Sequence, residues 1–156
     1  MRSADDVLEQ IEFEIGQIEH LLYVYADLLT RVQHKSPDAV EMAAVASVLH
    51  SFYNGLKNIF SGVAKRVDGE LPGGLESHNL LLKRMMLPGV SRPPFLSRDT
   101  GNRLVDYLGF RHFYRHSYTF FLDWEKVGEL VTYLIDVWGQ VRGEIISFCR
   151  IYKQAP

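Results

Sequence analysis

A single cysteine in 156 residues rules out a disulfide framework and a cysteine-ligated zinc site together. That residue, Cys149, stands in the apolar run Ile145, Ile146, Phe148, Tyr152, where a small buried hydrophobe is expected. Long apolar runs are also missing. No stretch reaches the roughly 18 residues a membrane helix needs, and the amphipathic, acidic start MRSADDVLEQIEFE has neither the basic head nor the apolar middle of a signal peptide, so a cytoplasmic protein without membrane attachment is expected. Net charge is small, −2, and by itself points to no polyanionic partner.

What is present is more directive. The 47% of apolar residues suffice for one continuous core, and the length suits a single helical domain over 1–156. Charge is unevenly spread. Residues 1–30 carry Asp5, Asp6, Glu9, Glu12, Glu14, Glu19 and Asp27 against Arg2 alone. Residues 83–118 reverse the sign, with Lys83, Arg84, Arg92, Arg98, Arg103, Arg111 and Arg115 against Asp99 and Asp106. Solvated helix faces would account for both stretches, and a phosphate-binding surface would account for the second.

Helical periodicity dominates the chain. Ser3 offers an N-cap to a first helix whose stripe runs Val7, Ile11, Ile18, Leu22, Tyr25, Leu29 and Val32. Ser36 and Pro37 mark a second start, followed by Val45, Leu49, Phe52, Leu56, Ile59, Val63 and Val67, with a stop near Asp68-Gly69. A short helix is expected over Ser77 to Met86. Pro88, Gly89, Pro93 and Pro94 then forbid regular structure up to Leu96. A third long helix begins near Asp99 or Thr100, with Gly101 and Gly109 weakening it. A fourth follows Asp123 with Val127, Val131, Leu134, Trp138, Val141, Ile145, Phe148 and Tyr152. No strand signal occurs, so the fold class is all-α, an antiparallel bundle of four main helices plus a short one.

Between the last two long helices, residues 107–121 concentrate aromatic, basic and imidazole groups: Tyr107, Phe110, Arg111, His112, Phe113, Tyr114, Arg115, His116, Tyr118, Phe120 and Phe121. Arginine offers phosphate a planar fork of donors and aromatic rings offer bases a stacking face, so the mixture suits nucleic acid. Here Arg111-x-x-x-x-His116-x-Tyr118, preceded by Leu108-Gly109-Phe110, resembles the signature of the HepT-like toxins, a branch of the HEPN superfamily. One departure is His112, where those toxins often have a small polar residue, and its role stays open.

The resemblance implies an HEPN-like bundle forming a homodimer, in which Arg111 and His116 are catalytic and cleave RNA without a metal or other cofactor. It also implies an MntA-like minimal nucleotidyltransferase antitoxin that transfers AMP to Tyr118. Arg115, His112 and Tyr114 are candidate RNA contacts. The chemistry is self-consistent, because RNA supplies its own nucleophile in the 2'-hydroxyl. The protein need only move protons, which suits an imidazole, and stabilise phosphoryl charge, which suits a guanidinium. One imidazole per chain cannot easily serve as acid and base together, which gives dimerisation a chemical purpose. On a straight helix Arg111 and His116 point about 140° apart. The helix is therefore expected to end or distort between them, or the two groups to act from opposite sides of a shared cleft.

Other readings fare less well. No histidine has a glutamate three positions before it, which disfavours a carboxylate-bridged metal bundle, and His112 with His116 lacks a recognisable third ligand. A noncatalytic RNA- or protein-binding HEPN module is the alternative. His20, His34, His50 and His78 read as surface or partly buried helix residues, the acidic first helix as a solvated face, and Trp124 and Trp138 as core or interface.

Overall fold

A computed structural model of the chain describes residues 2–71, 73, 77–116, 118 and 122–154, without the side chains of residues 2–4 and 77. Six helices follow in order: α1 (Arg2–Val24), α2 (Ala26–His34), α3 (Ala39–Val63), α4 (Ser77–Met85), α5 (Arg98–His116) and α6 (Trp124–Gln154). They form an all-α antiparallel bundle, with no strand among the described residues.

The centre of the bundle is α3, which touches each of the other helices. Its sequence explains why. Val45, Ala46, Val48, Leu49, Phe52, Tyr53, Leu56, Ile59, Phe60 and Val63, with Gly55 and Gly62, take up about half of its circumference, a stripe wide enough to need several neighbours. Gly55 sets how closely α1 approaches, since a Cβ there would lie 2.7 Å from Cγ1 of Ile18. At its far end α3 passes into a π-helical turn, Ala64–Asp68, and stops at Gly69, whose φ of 80° suits a residue without Cβ. The expected stop is found there.

Two expected boundaries move. The first long helix is interrupted at Tyr25, whose dihedrals, φ −103° and ψ 13°, depart from helical values although hydrogen bonds continue on either side. Neither proline nor glycine marks the site. The break divides the expected single helix into α1 and α2, and α2 buries Leu28, Leu29 and Val32 while touching α3 and α6. The start of α3 falls at Asp38 rather than at Ser36-Pro37. Asp38 Oδ1 accepts from the Glu41 backbone N–H at 2.8 Å and Glu41 Oε1 from that of Asp38 at 3.1 Å. This reciprocal box satisfies two otherwise orphaned donors, more than a serine two residues earlier could.

The irregular segment expected at 87–96 is held from within. Arg92, almost fully buried, donates to both carboxylate oxygens of Asp68, at 2.7 and 2.8 Å, and to the carbonyls of Leu87, Pro93 and Arg84. Helix α5 then starts at Arg98, capped by the Ser97 hydroxyl on the Thr100 N–H. It runs unbroken through Gly101 and Gly109 to His116. The Tyr107 hydroxyl ties it to α6 by donating to the Leu130 carbonyl at 2.6 Å. Cys149 is half-buried in α6, and burial pushes its thiol up from the usual range. No helix among the described residues is long and apolar enough to cross a membrane.

Candidate functional site

Helix α5 has two chemically different faces. Leu104, Tyr107, Leu108 and Arg111 point into the bundle, so the guanidinium of Arg111 enters at a position that helical periodicity reserves for the core. Arg111 is only 6% exposed. Its Nε donates to Oδ1 of Asn54 on α3 at 2.7 Å, and its Nη1 lies 3.4 Å from Nε2 of His78 on α4.

The protonation pattern follows from these bonds. Asn54 spends its oxygen on Arg111, so its Nδ2 donates to Nε2 of His50 at 3.0 Å, and His50 carries its proton on Nδ1. That Nδ1 is buried and has no partner among the described residues. His78 accepts from Arg111 through Nε2 and is likewise neutral. Burial and the Arg111 charge hold the protonation of His50 and His78 below the usual imidazole range, with Arg115 adding to both and Lys57 and His112 adding to His78. Lys57 loses its proton more readily than an exposed lysine, through burial and then Arg111 and Arg115. Burial, followed by Arg115, also lowers Arg111. A fork of donors sits here among neutral or cationic neighbours, and among the described residues no carboxylate pairs with Arg111, Lys57 or Arg115.

Charging His50 or His78 would place a cation against Arg111, so folding favours their neutral forms. The unfolded chain binds more protons below its histidine value of 6.5, and stability is therefore complete above that pH and declines as pH falls through it. We expect urea midpoints to drop from pH 7.5 to pH 5, and the drop to shrink in His50→Gln and His78→Gln. An unchanged slope in both variants would contradict the assignment.

The opposite face of α5 is open. Val105 and Phe113 are about half-exposed, at 49% and 46%, and a Cβ on Gly109 would meet nothing within 4 Å. His112 and His116 share this face, with ring centroids 4.8 Å apart. Among the described residues no third ligand joins them into a metal site. A groove of about 910 Å³ runs alongside between α5 and α6, lined in part by Val105, Gly109, Phe113, Leu130 and Tyr133.

The expected site residues are thus distributed. Arg111 faces inward, His112, Arg115 and His116 are exposed, and Tyr118, just past the helix, is 70% exposed. Tyr114 is half-buried against His50 and Phe110, at centroid distances of 5.0 and 6.0 Å, which leaves it less ring surface for a base. No break separates Arg111 from His116, because the helix runs straight through the pair, and within one chain the two groups leave α5 in divergent directions. Ser117, Thr119, Phe120 and Phe121 lie outside the described residues.

Sequence reading missed Asn54 and Lys57 altogether and took His50 and His78 as ordinary helix residues. A signal existed: His50, Asn54 and Lys57, spaced four and three apart, form a polar column on the side of α3 away from its fully buried stripe. The basic stretch 83–118 also proves narrower as a surface than its count suggests. Arg84, Arg92 and Arg103 are occupied by Glu70, Asp68 and Asp136.

Fold and site together define an all-helical bundle with a buried guanidinium on its penultimate helix that no carboxylate meets among the described residues. Residues 44–152, more than half of the chain, match the family model described as HepT-like protein, and the chain belongs to that family. No curated protein and no solved structure matches it.

Proposed function

We propose that this protein is the toxin of a toxin–antitoxin pair, an endoribonuclease that cleaves RNA by attack of the 2'-hydroxyl in a homodimeric site containing Arg111 and His116. The observation that carries the reading is Arg111 itself. A buried guanidinium is costly unless an anion meets it, and the described residues provide none. A phosphodiester supplies the missing charge.

In the reaction the 2'-oxygen bonds to phosphorus as the bond from phosphorus to the 5'-oxygen breaks. The proton of the 2'-hydroxyl goes to a base, and the departing 5'-oxygen receives one from an acid. Arg111 faces the phosphoryl oxygens, where charge accumulates. His116 moves the protons, the base from one protomer and the acid from its partner, so that no imidazole needs two roles. Apposition of the open faces that carry Val105, Gly109, His112, Phe113 and His116 would cover half-exposed apolar side chains and bring the two His116 side chains together.

Regulation would act at Tyr118, which is exposed. Its exposed phenol can attack the α-phosphorus of a nucleoside triphosphate held by an MntA-like nucleotidyltransferase, with pyrophosphate leaving and the phenolic proton passing to a base of that enzyme. The resulting adenylate would add bulk and negative charge two residues past His116 and compete with RNA phosphate for the site.

Replacing His116 by alanine is expected to slow cleavage of an oligoribonucleotide by about 10²–10⁴-fold with little change in binding. The same sequence with deoxyribose at the scissile position should bind and remain intact. Normal cleavage by the alanine variant would reject the site, and cleavage of the deoxy substrate would reject 2'-hydroxyl attack. A wild-type protein that binds RNA and cuts none would leave a noncatalytic binding module as the better description.

A further inference from the structure

Three helices contribute donors to the surroundings of Arg111, and two of those helices lie outside the signature segment: α3 brings His50, Asn54 and Lys57, and α4 brings His78. We infer that Lys57 and His78 extend the Arg111 site into an oxyanion pocket walled by α3, α4 and α5, and that this pocket takes a phosphate group of the RNA backbone. The inference rests on the ribonuclease reading for the identity of the polymer, and on the side-chain arrangement alone for the phosphate.

The two arginines that are buried among the described residues make the case by contrast. Every guanidinium nitrogen of Arg92 has a protein acceptor, Nε and Nη2 on Asp68, Nη1 on the carbonyls of Leu87 and Pro93, and Nη2 also on that of Arg84. Such an arginine is complete and has nothing left for a ligand. Arg111 has one short bond, through Nε to Asn54 at 2.7 Å, and one long contact from Nη1 to His78 at 3.4 Å. Among the described residues Nη2 has no acceptor, so Asn54 holds the fork in place while the two terminal nitrogens remain largely unspent.

The neighbours are donors as well. With Nε2 of His50 and of His78 already accepting, both rings carry their proton on Nδ1, and that of His50 is buried without a partner among the described residues. Lys57 lies one turn beyond Asn54 on α3 and within electrostatic reach of Arg111 and Arg115. A pocket lined by N–H groups, with net positive charge and no carboxylate among its described members, complements a phosphate oxyanion better than a metal cation or a neutral base. The neutral state of His78 serves this purpose, because its Nε2 can orient the guanidinium only while unprotonated.

The test uses the full-length protein. Inorganic phosphate is titrated into the wild type while the histidine rings are followed by proton–nitrogen correlation spectra, and a saturable shift of the His78 ring is expected. An oligoribonucleotide then serves as ligand and substrate for Lys57→Gln, His78→Gln, the conservative Lys57→Arg, and Lys65→Gln as a control that removes an exposed charge outside the pocket. Lys57→Gln should weaken RNA binding about 10-fold, with kcat changed less than threefold, and abolish the phosphate-induced shift. Lys57→Arg should restore both. The pocket is rejected if phosphate leaves His78 unmoved, or if Lys57→Gln binds RNA no more weakly than Lys65→Gln. The phosphate titration needs no substitution and so does not depend on a variant that folds. Saturable phosphate binding by a protein that cuts no RNA would keep the pocket and discard the nuclease. Normal RNA cleavage with indifferent pocket variants would do the reverse.

Discussion

Arg111→Met is expected to reduce RNA cleavage by at least about 10²–10³-fold while leaving the thermal midpoint unchanged or higher. The two effects share one cause. Arg111 is held against neutral Asn54 and His78, with Lys57 and Arg115 close enough to repel it, and burial lowers its affinity for its own proton. A charge in that position opposes folding, and a methionine of similar length removes it while filling most of the volume. Removing the guanidinium also relieves His50, His78 and Lys57, all of which it depresses, so their protonation should return toward ordinary values. Parallel melting and single-turnover cleavage assays provide the check. A variant that melts well below the wild type would show Arg111 to be a structural residue, and one that cleaves normally would end its catalytic assignment.

The contrast between function and stability shows what sequence could reveal. Periodicity located α3 and α6 because their buried apolar side chains recur at helical spacing on the side facing the core. Gly69 and the prolines of 87–96 located the interruptions because each forbids regular backbone. The signature on α5 was legible for another reason, since an arginine, a histidine and a tyrosine in fixed spacing are recognisable wherever they point. Their surroundings were not legible. Asn54 and His78 meet Arg111 across separations of 57 and 33 residues, and nothing local to α5 names them. The bend at Tyr25 lacked proline and glycine and left no mark in composition. Straight continuation of α5 past Arg111 was also hidden, because the angle of about 140° between Arg111 and His116 suggested a break, and Gly101, expected to weaken the helix, is packed closely against Met86.

Asp68→Ala is expected to cost about 3–5 kcal/mol of stability and to lower the thermal midpoint by roughly 10 °C or more. In the folded chain the Asp68 side chain is 9% exposed and that of Arg92 1%, and the carboxylate receives Nε and Nη2 of one guanidinium at 2.7 and 2.8 Å. Exposed pairs such as Arg142 with Glu19, or Lys153 with Glu12, are screened by water and contribute far less. Losing the carboxylate strands a cation in the interior, held only by the carbonyls of Leu87, Pro93 and Arg84. The damage should spread along a definite route. Asp68 ends the π-helical turn after α3, and Arg92 organises the proline-rich segment that leads to Phe95, Leu96 and the Ser97 cap of α5. Gly89 belongs to the same clasp, because a Cβ there would lie 2.7 Å from Oδ1 of Asp68. Adding Arg92→Met to Asp68→Ala should recover much of the loss, since the double variant no longer buries an unmatched charge, and the interaction free energy from the four-protein cycle should exceed about 1.5 kcal/mol. Urea titration of the four proteins decides it. A single-variant loss below about 1 kcal/mol would mean that water reaches the Arg92 guanidinium, and that this clasp does not hold the start of the helix that carries Arg111.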